Sequence, residues 1–316
     1  MDEVDAQPIV RARELRALAD KWMEHLERHQ RDHASFDEAK LREVIDAVRA
    51  DSDDQVVRFA YHRTLFTLTA HVTMRERLRV GGALRVLTDV LTTREPVDVL
   101  VATLANLVYD DASKHEVVDS LGGAELFVRL LGSPTLEIQA HATRGIFSIT
   151  TVFDYKTRMV QAGVLPLLVP LLRRHDVDVL QMNAAGAIAN IAIHPSNKVP
   201  VVEHGALPEL LAAARISQSD DVLHQIARCL FSLSAAQVNR PAMLRLDCIA
   251  VIRQMLSRDG SPDVKINAIG ALGNLFISEN AARDLDVVMM LVPMLSANNK
   301  RLVQQVVRVL YSFSSR

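Results

Sequence analysis

Aromatic side chains make up only 4% of this 316-residue chain, and there is one tryptophan, Trp22. A chain that is 49% hydrophobic with so few rings must build its core from Leu, Val, Ile and Ala, the residues of closely packed helices. Cysteine is almost missing as well. Cys229 and Cys248 stand apart in apolar patterns, which suits reduced thiols and excludes a disulfide framework. The net charge of −2 supplies no global basic field, so bulk nucleic-acid binding is excluded and recognition must come from local clusters. No apolar run reaches the ~18 residues of a membrane helix, so membrane insertion is not expected. The opening MDEVDAQP has neither a basic start nor an apolar signal core, Asp2 stands where myristoylation needs glycine, and YSFSSR holds no prenylation box. A soluble, cytoplasmic protein is expected, with the nucleus open to it.

Catalytic signatures are missing too. There is no phosphate-cradling loop, no GxGxxG after a strand, no HExxH and no GxSxG elbow, so no catalytic residue, cofactor or metal is expected. The acidic groups at Asp51, Asp53 and Asp54, and at Asp110 and Asp111, sit between helices and are read as helix caps.

What the chain has is a repeat. VLQMNAAGAIANIA, Val179 to Ala192, returns as VLVATLANLV around Asn106 and as VKINAIGALGNLF around Asn274. Variants place Ser148, Ser232 or Ser312 where the Asn stands, and a more distant copy places Thr67 there. The steps from Thr67 are 39, 42, 42, 42, 42 and 38 residues (67, 106, 148, 190, 232, 274, 312). A period near forty means stacked helical units, each packed on its neighbours.

Residues 9–33 read as an amphipathic helix, with Leu15, Leu18, Trp22 and Leu26 on one stripe that would cap the first unit. His25, His29 and His33 share a face of it, with Asp32 able to join them, and are read as a solvated polar face, since no Cys is near to complete a closed structural zinc shell. Ser35 to Glu38 fits a capping box that opens the repeats. The expected organisation is therefore a capping helix in residues 1–34 and repeats over 35–316. Each unit reads as a short helix, a Gly turn, a middle helix and a long third helix. Gly82, Gly122, Gly163 and Gly205 mark the turns. Leu246-Asp247-Cys248 and Leu285-Asp286-Val287 replace the Gly in the last two, and less sharply defined turns are expected there.

The stretch AGVLPLLVPLLRRHDVDVLQMNAAGAIANIA, Ala162 to Ala192, resembles an armadillo repeat along nearly its whole length. The resemblance runs from about Ser35 to Arg316. It implies an all-α, right-handed solenoid of about seven repeats with the third helices lining a concave groove. It also implies that groove Asn residues grip the backbone of an extended peptide.

Counted from the Asn/Ser position as zero, position −4 alternates Arg63, Ala102, Arg144, Gly186, Arg228, Gly270, Arg308, and position −1 alternates Phe66, Ala105, Phe147, Ala189, Phe231, Gly273, Tyr311. The true repeat is a pair of units. Dense packing explains an aromatic opposed by Ala or Gly. It does not explain Arg four times at −4; a salt bridge, a snorkelled stem or a ligand-binding role each would. Position −7 turns polar from His141 onward, through Asn183, Gln225, Asn267 and Gln305.

An Asn amide bonds a peptide N–H and C=O together, and Arg forks favour carboxylates or phosphates. The expected function is a protein-interaction scaffold that binds an extended acidic or phosphorylated segment. The residues expected to carry it are Arg63, Asn106, Arg144, Asn183, Asn190, Gln225, Arg228, Asn267, Asn274 and Arg308. A module sensing a small anion and an importin-like transport receptor are the alternatives. Importin-α uses Trp at −4 with acidic neighbours; with Arg there, this groove is more similar to β-catenin or the vacuolar adaptors. The last helix carries Val303, Val306, Val307, Val309 and Leu310, which points to chain continuation or self-association at that end.

Overall fold

The computed structural model describes residues 7–17, 20, 37–50, 52–276 and 285–314. Among these every regular element is helical. The seven long third helices are α1 (Gln55–Leu68), α2 (Asp98–Leu107), α3 (Leu136–Ile149), α4 (Asp178–Ile193), α5 (Asp220–Ser234), α6 (Pro262–Phe276) and α7 (Lys300–Ser314). The chain divides into two compact units, Met1–Ile149 and Thr150–Arg316.

In the first unit α1 packs on α2 and α2 on α3, with the middle helices Glu38–Ala50, Ala83–Thr93 and Gly123–Leu131 against them. Phe127 is fully buried where Gly145 of α3 leaves space: a Cβ there would lie 2.2 Å from the ring. Residues 7–17 are helical and bury Ala12 and Leu15. Arg11 forks onto both carboxylate oxygens of Glu43 at 2.8 Å, and Arg16 donates to the Arg63 carbonyl at 2.8 Å and to Thr67 Oγ1 at 2.5 Å. Leu18, Trp22, Leu26, the histidines at 25, 29 and 33, and Ser35 lie outside the described residues. The helix after them starts at Glu38 with Asp37 as its cap, whose Oδ1 accepts the Lys40 N–H at 2.9 Å.

In the second unit α4, α5, α6 and α7 stack in order. Two middle helices change pitch part-way: Leu165–Leu168 continues as the 3-10 turn Val169–Arg173, and Leu285–Leu291 as Val292–Ser296. Pro170 and Pro293 lie at these points, where a missing N–H and a ring clash disfavour further α-helix. On α7, Val306 and Val309 are buried, whereas Val307 and Tyr311 are exposed.

Two of the expected acidic caps are in place: Asp54 Oδ1 takes the N–H groups of Val56 and Val57, and Asp110 Oδ1 takes that of Ser113. Asp111 is the first residue inside its helix, and Asp51 lies outside the described residues. Gly82, Gly122, Gly163 and Gly205 all have positive φ, between 65° and 88°. Asp247 corrects the expectation of a looser turn: at φ 57° it takes the same left-handed conformation and starts Cys248–Ser257. Aspartate is among the few side chains that tolerate this region. Asp286 lies where side chains are outside the described set.

Candidate functional site

In the first unit, Arg63 sits with its guanidinium 5.4 Å from the Phe66 ring centre, one turn along α1. Asn106 on α2 donates through Nδ2 to Thr69 Oγ1 at 2.8 Å. Arg144 on α3 donates through Nη2 to the Ala102 carbonyl at 3.1 Å, and its Nε is buried with no hydrogen-bond partner among the described residues.

In the second unit, Asn190 is buried and uses both ends of its amide. Nδ2 donates to Thr150 Oγ1 at 3.4 Å, and Oδ1 accepts Arg228 Nη2 at 2.7 Å. Arg228 Nη1 holds Gln225 Oε1 at 2.5 Å. Asn274 repeats the Asn106 pattern, donating to Ser234 Oγ at 3.1 Å. Asn267 bonds the Asp263 carbonyl of its own helix at 2.8 Å, and Asn183 is buried. Arg308 is exposed on α7.

Each zero-position Asn thus spends amide capacity inside the protein, on a hydroxyl two residues beyond the zero position of the preceding copy. Those hydroxyls are Thr69, Thr150 and Ser234. Sequence reading missed them, along with a cation eight residues past the same zero. Arg75 Nε bonds the Thr69 carbonyl at 2.6 Å, Lys156 Nζ that of Thr151 at 3.1 Å, and Arg240 Nε that of Ser234 at 2.9 Å. Arg75 and Arg240 serve the C-terminal ends of α1 and α5, where carbonyls lack helical partners and positive charge is favoured. The signal was present as spacing: 67, 148 and 232 each carry Thr or Ser at +2 and Arg or Lys at +8.

Packing accounts for the place of Phe231 in the aromatic alternation, with one shift of register. The room for Phe231 comes from Gly270, at −4 of the next helix: a Cβ there would lie 2.9 Å from the ring and 2.8 Å from Gln305 Nε2. Gly273, at −1, makes room for Val309 instead.

The arginines divide by partner. Some pair with acids, as in Arg173–Glu209, Arg174–Asp176 and Arg79–Glu76, and others, such as Arg75, Arg129, Arg240 and Arg258, bond backbone carbonyls. Arg63, Arg144, Arg228 and Arg308 pair with no carboxylate among the described residues. Burial lowers the affinity of Arg144 for its proton, and the nearby Arg75 charge lowers it further; Arg228 is lowered by burial. His141 and His224 are pushed below the ordinary histidine value, first by burial and then by Arg144 and Arg228 respectively. Both thiols are buried and pushed up to about 12, so neither Cys229 nor Cys248 is a reactive group.

The profile described as Armadillo/beta-catenin-like repeat matches residues 154–193 and 237–277. Those segments contain α4 and α6, two of the helices that carry the Asn. Both segments are armadillo repeats. An engineered protein of known crystal structure matches 96% of this armadillo chain, and 74% of its own, at TM-score 0.81 and 24% identity. A structure of beta-catenin, from work on a phosphorylation switch in its interaction with cadherin, covers the whole chain at TM-score 0.78, with 18% identity over 59% of its own length. Vacuolar protein 8 of Candida albicans is 29% identical over 130 residues, 41% of this chain and 22% of that protein. Importin subunit alpha-2 of Arabidopsis thaliana is 48% identical over 71 residues, 21% of this chain and 12% of that one. The armadillo chain therefore spans under a quarter of either relative. Among the described residues no helix is long and apolar enough to cross a membrane.

Proposed function

We propose that this armadillo protein is a non-catalytic binding scaffold whose third helices receive an extended acidic or phosphorylated segment of another protein. The observation that carries the reading is the set of −4 arginines, Arg63, Arg144, Arg228 and Arg308, which recur on alternate third helices and pair with no carboxylate among the described residues. A guanidinium that is half-buried and lacks an anion gains most from a ligand that supplies one. The residues proposed to line the face are Arg63, Asn106, Arg144, Asn183, Asn190, Gln225, Arg228, Asn267, Asn274 and Arg308. Their roles divide: Asn190 and Gln225 position Arg228, and the arginines meet the ligand.

The importin likeness favours a second reading, a receptor for basic segments. A designed armadillo repeat protein with TM-score 0.65 and 21% identity, matching 75% of this chain and 99% of its own, is described in complex with the basic peptide (KR)4. Screening of acidic, phosphorylated and basic peptide arrays at two salt concentrations separates the two. Salt-sensitive capture of acidic or phosphorylated peptides supports the scaffold with a basic face. Capture of basic peptides alone overturns it in favour of the transport reading.

A further inference from the structure

Arg75 and Arg144 stand on either side of Asn106. Arg144 is anchored on the Ala102 carbonyl, one turn before Asn106 on α2. On the other side Asn106 holds the Thr69 hydroxyl, and the Thr69 carbonyl holds Arg75. Arg75 also lies over the exposed Tyr109 ring, 4.9 Å from its centre, just past the end of α2. Both guanidiniums bond only to backbone carbonyls, Arg75 to those of Thr69 and Ala70, and no carboxylate pairs with either among the described residues. The Nε of Arg144 is buried with no hydrogen-bond partner among the described residues. Asp98 and Glu137 act on His141 from a distance, and neither bonds to the two arginines. Arg228 in the second unit differs: Asn190 and Gln225 already occupy its two terminal nitrogens.

We propose that Arg75, Asn106 and Arg144 form a phosphoryl-binding subsite that anchors a phosphorylated side chain of the extended partner. This inference rests on the scaffold reading above and assigns one of its anchor points. Two uncompensated guanidinium charges match the near-dianion of a phosphomonoester, whereas a carboxylate neutralises one of them. Geometry agrees. A tetrahedral phosphate offers oxygens toward both arginines at once, while a carboxylate presents a single edge to one fork. Asn106 Nδ2 carries a second hydrogen beyond the one given to Thr69, and His141, one turn before Arg144 on α3, adds a polar group on the same face.

The test uses the full chain and a degenerate acidic peptide library in three versions, with a fixed central phosphoserine, glutamate or serine. Retention is measured on the wild type, Arg75→Gln and Arg144→Gln, each first checked for helix content and Tm. The expected result is preferential retention of the phosphoserine version, falling about tenfold or more in either variant. Equal retention of the phosphoserine and glutamate versions, unchanged in both variants, overturns the subsite and leaves the acidic scaffold standing. Retention of no acidic version by the wild type sinks the scaffold reading itself, and the subsite with it. Inorganic phosphate is titrated alone in parallel. If it competes as strongly as the phosphopeptides, with the same dependence on Arg75 and Arg144, the anion is a free phosphate compound and the peptide anchor is overturned.

Discussion

Asn190 and Arg228 hold each other across two neighbouring third helices, with Arg228 Nη2 donating to the side-chain Oδ1 of Asn190 at 2.7 Å. The bond joins a buried amide to a half-buried cation, so the arginine arrives at the face already oriented. Arg228→Met keeps the stem but removes the donor. It should cost about 1–3 kcal/mol, because a hydrogen bond to a charged group is lost at a buried acceptor. Urea unfolding measures it. A variant as stable as the wild type would show that the bond contributes nothing to folding.

Gly270 lies between the Phe231 ring and Gln305. Gly270→Ala should destabilise the second unit by about 1–3 kcal/mol, since both contacts fall below 3.0 Å and the ring has to move. Phe231→Leu in the same chain should recover part of the loss. An unaltered Tm for the alanine variant would contradict the packing.

The left-handed turns give a paired prediction. Gly205 at φ 78° and Asp247 at φ 57° occupy equivalent places. Gly205→Ala is expected to cost about 1 kcal/mol, because an L side chain in that region meets the following carbonyl. Asp247→Gly relieves the same strain at some entropic cost, and should stabilise by up to about 1 kcal/mol. Denaturation midpoints of the two variants should therefore shift in opposite directions.

His141 and His224 predict a pH dependence. Both fold with values below the ordinary 6.5, held there by burial and by Arg144 and Arg228. Asp98 and Glu137 near His141, and Asp263 and Asp221 near His224, oppose the shift without cancelling it. An unfolded chain thus takes up protons near pH 6.5 that the folded one refuses. The stabilisation is complete above that pH and declines as pH falls through the lower folded values. Melting curves between pH 7.5 and 5 should show Tm decreasing, with a shallower slope in a His141→Gln/His224→Gln double variant. Equal slopes would assign the effect to other groups.

Much of this was legible in the chain itself. The interval from Asn106 to Ser148 to Asn190 located the third helices, because each unit contributes the same helix to the same face. The alternation of Phe231 with Gly270 and Gly273 announced a repeat of two units. The use of the Asn amides was harder to see. Asn106 meets Thr69, 37 residues back, and nothing local to either residue reveals that partner. The Asp247 turn was misjudged for a different reason: absence of glycine was read as absence of the conformation, and aspartate supplies it. Arg75 went unnoticed because it lies outside the third helices, on Val72–Val80.

The seating of Phe231 over Gly270 limits how such a chain can change length. Loss of a single forty-residue copy would bring two helices of the same class together, ring against ring or gap against gap. Loss or gain of two copies would again set a ring against a gap. Relatives of this chain should therefore differ by even numbers of repeats within the alternating region.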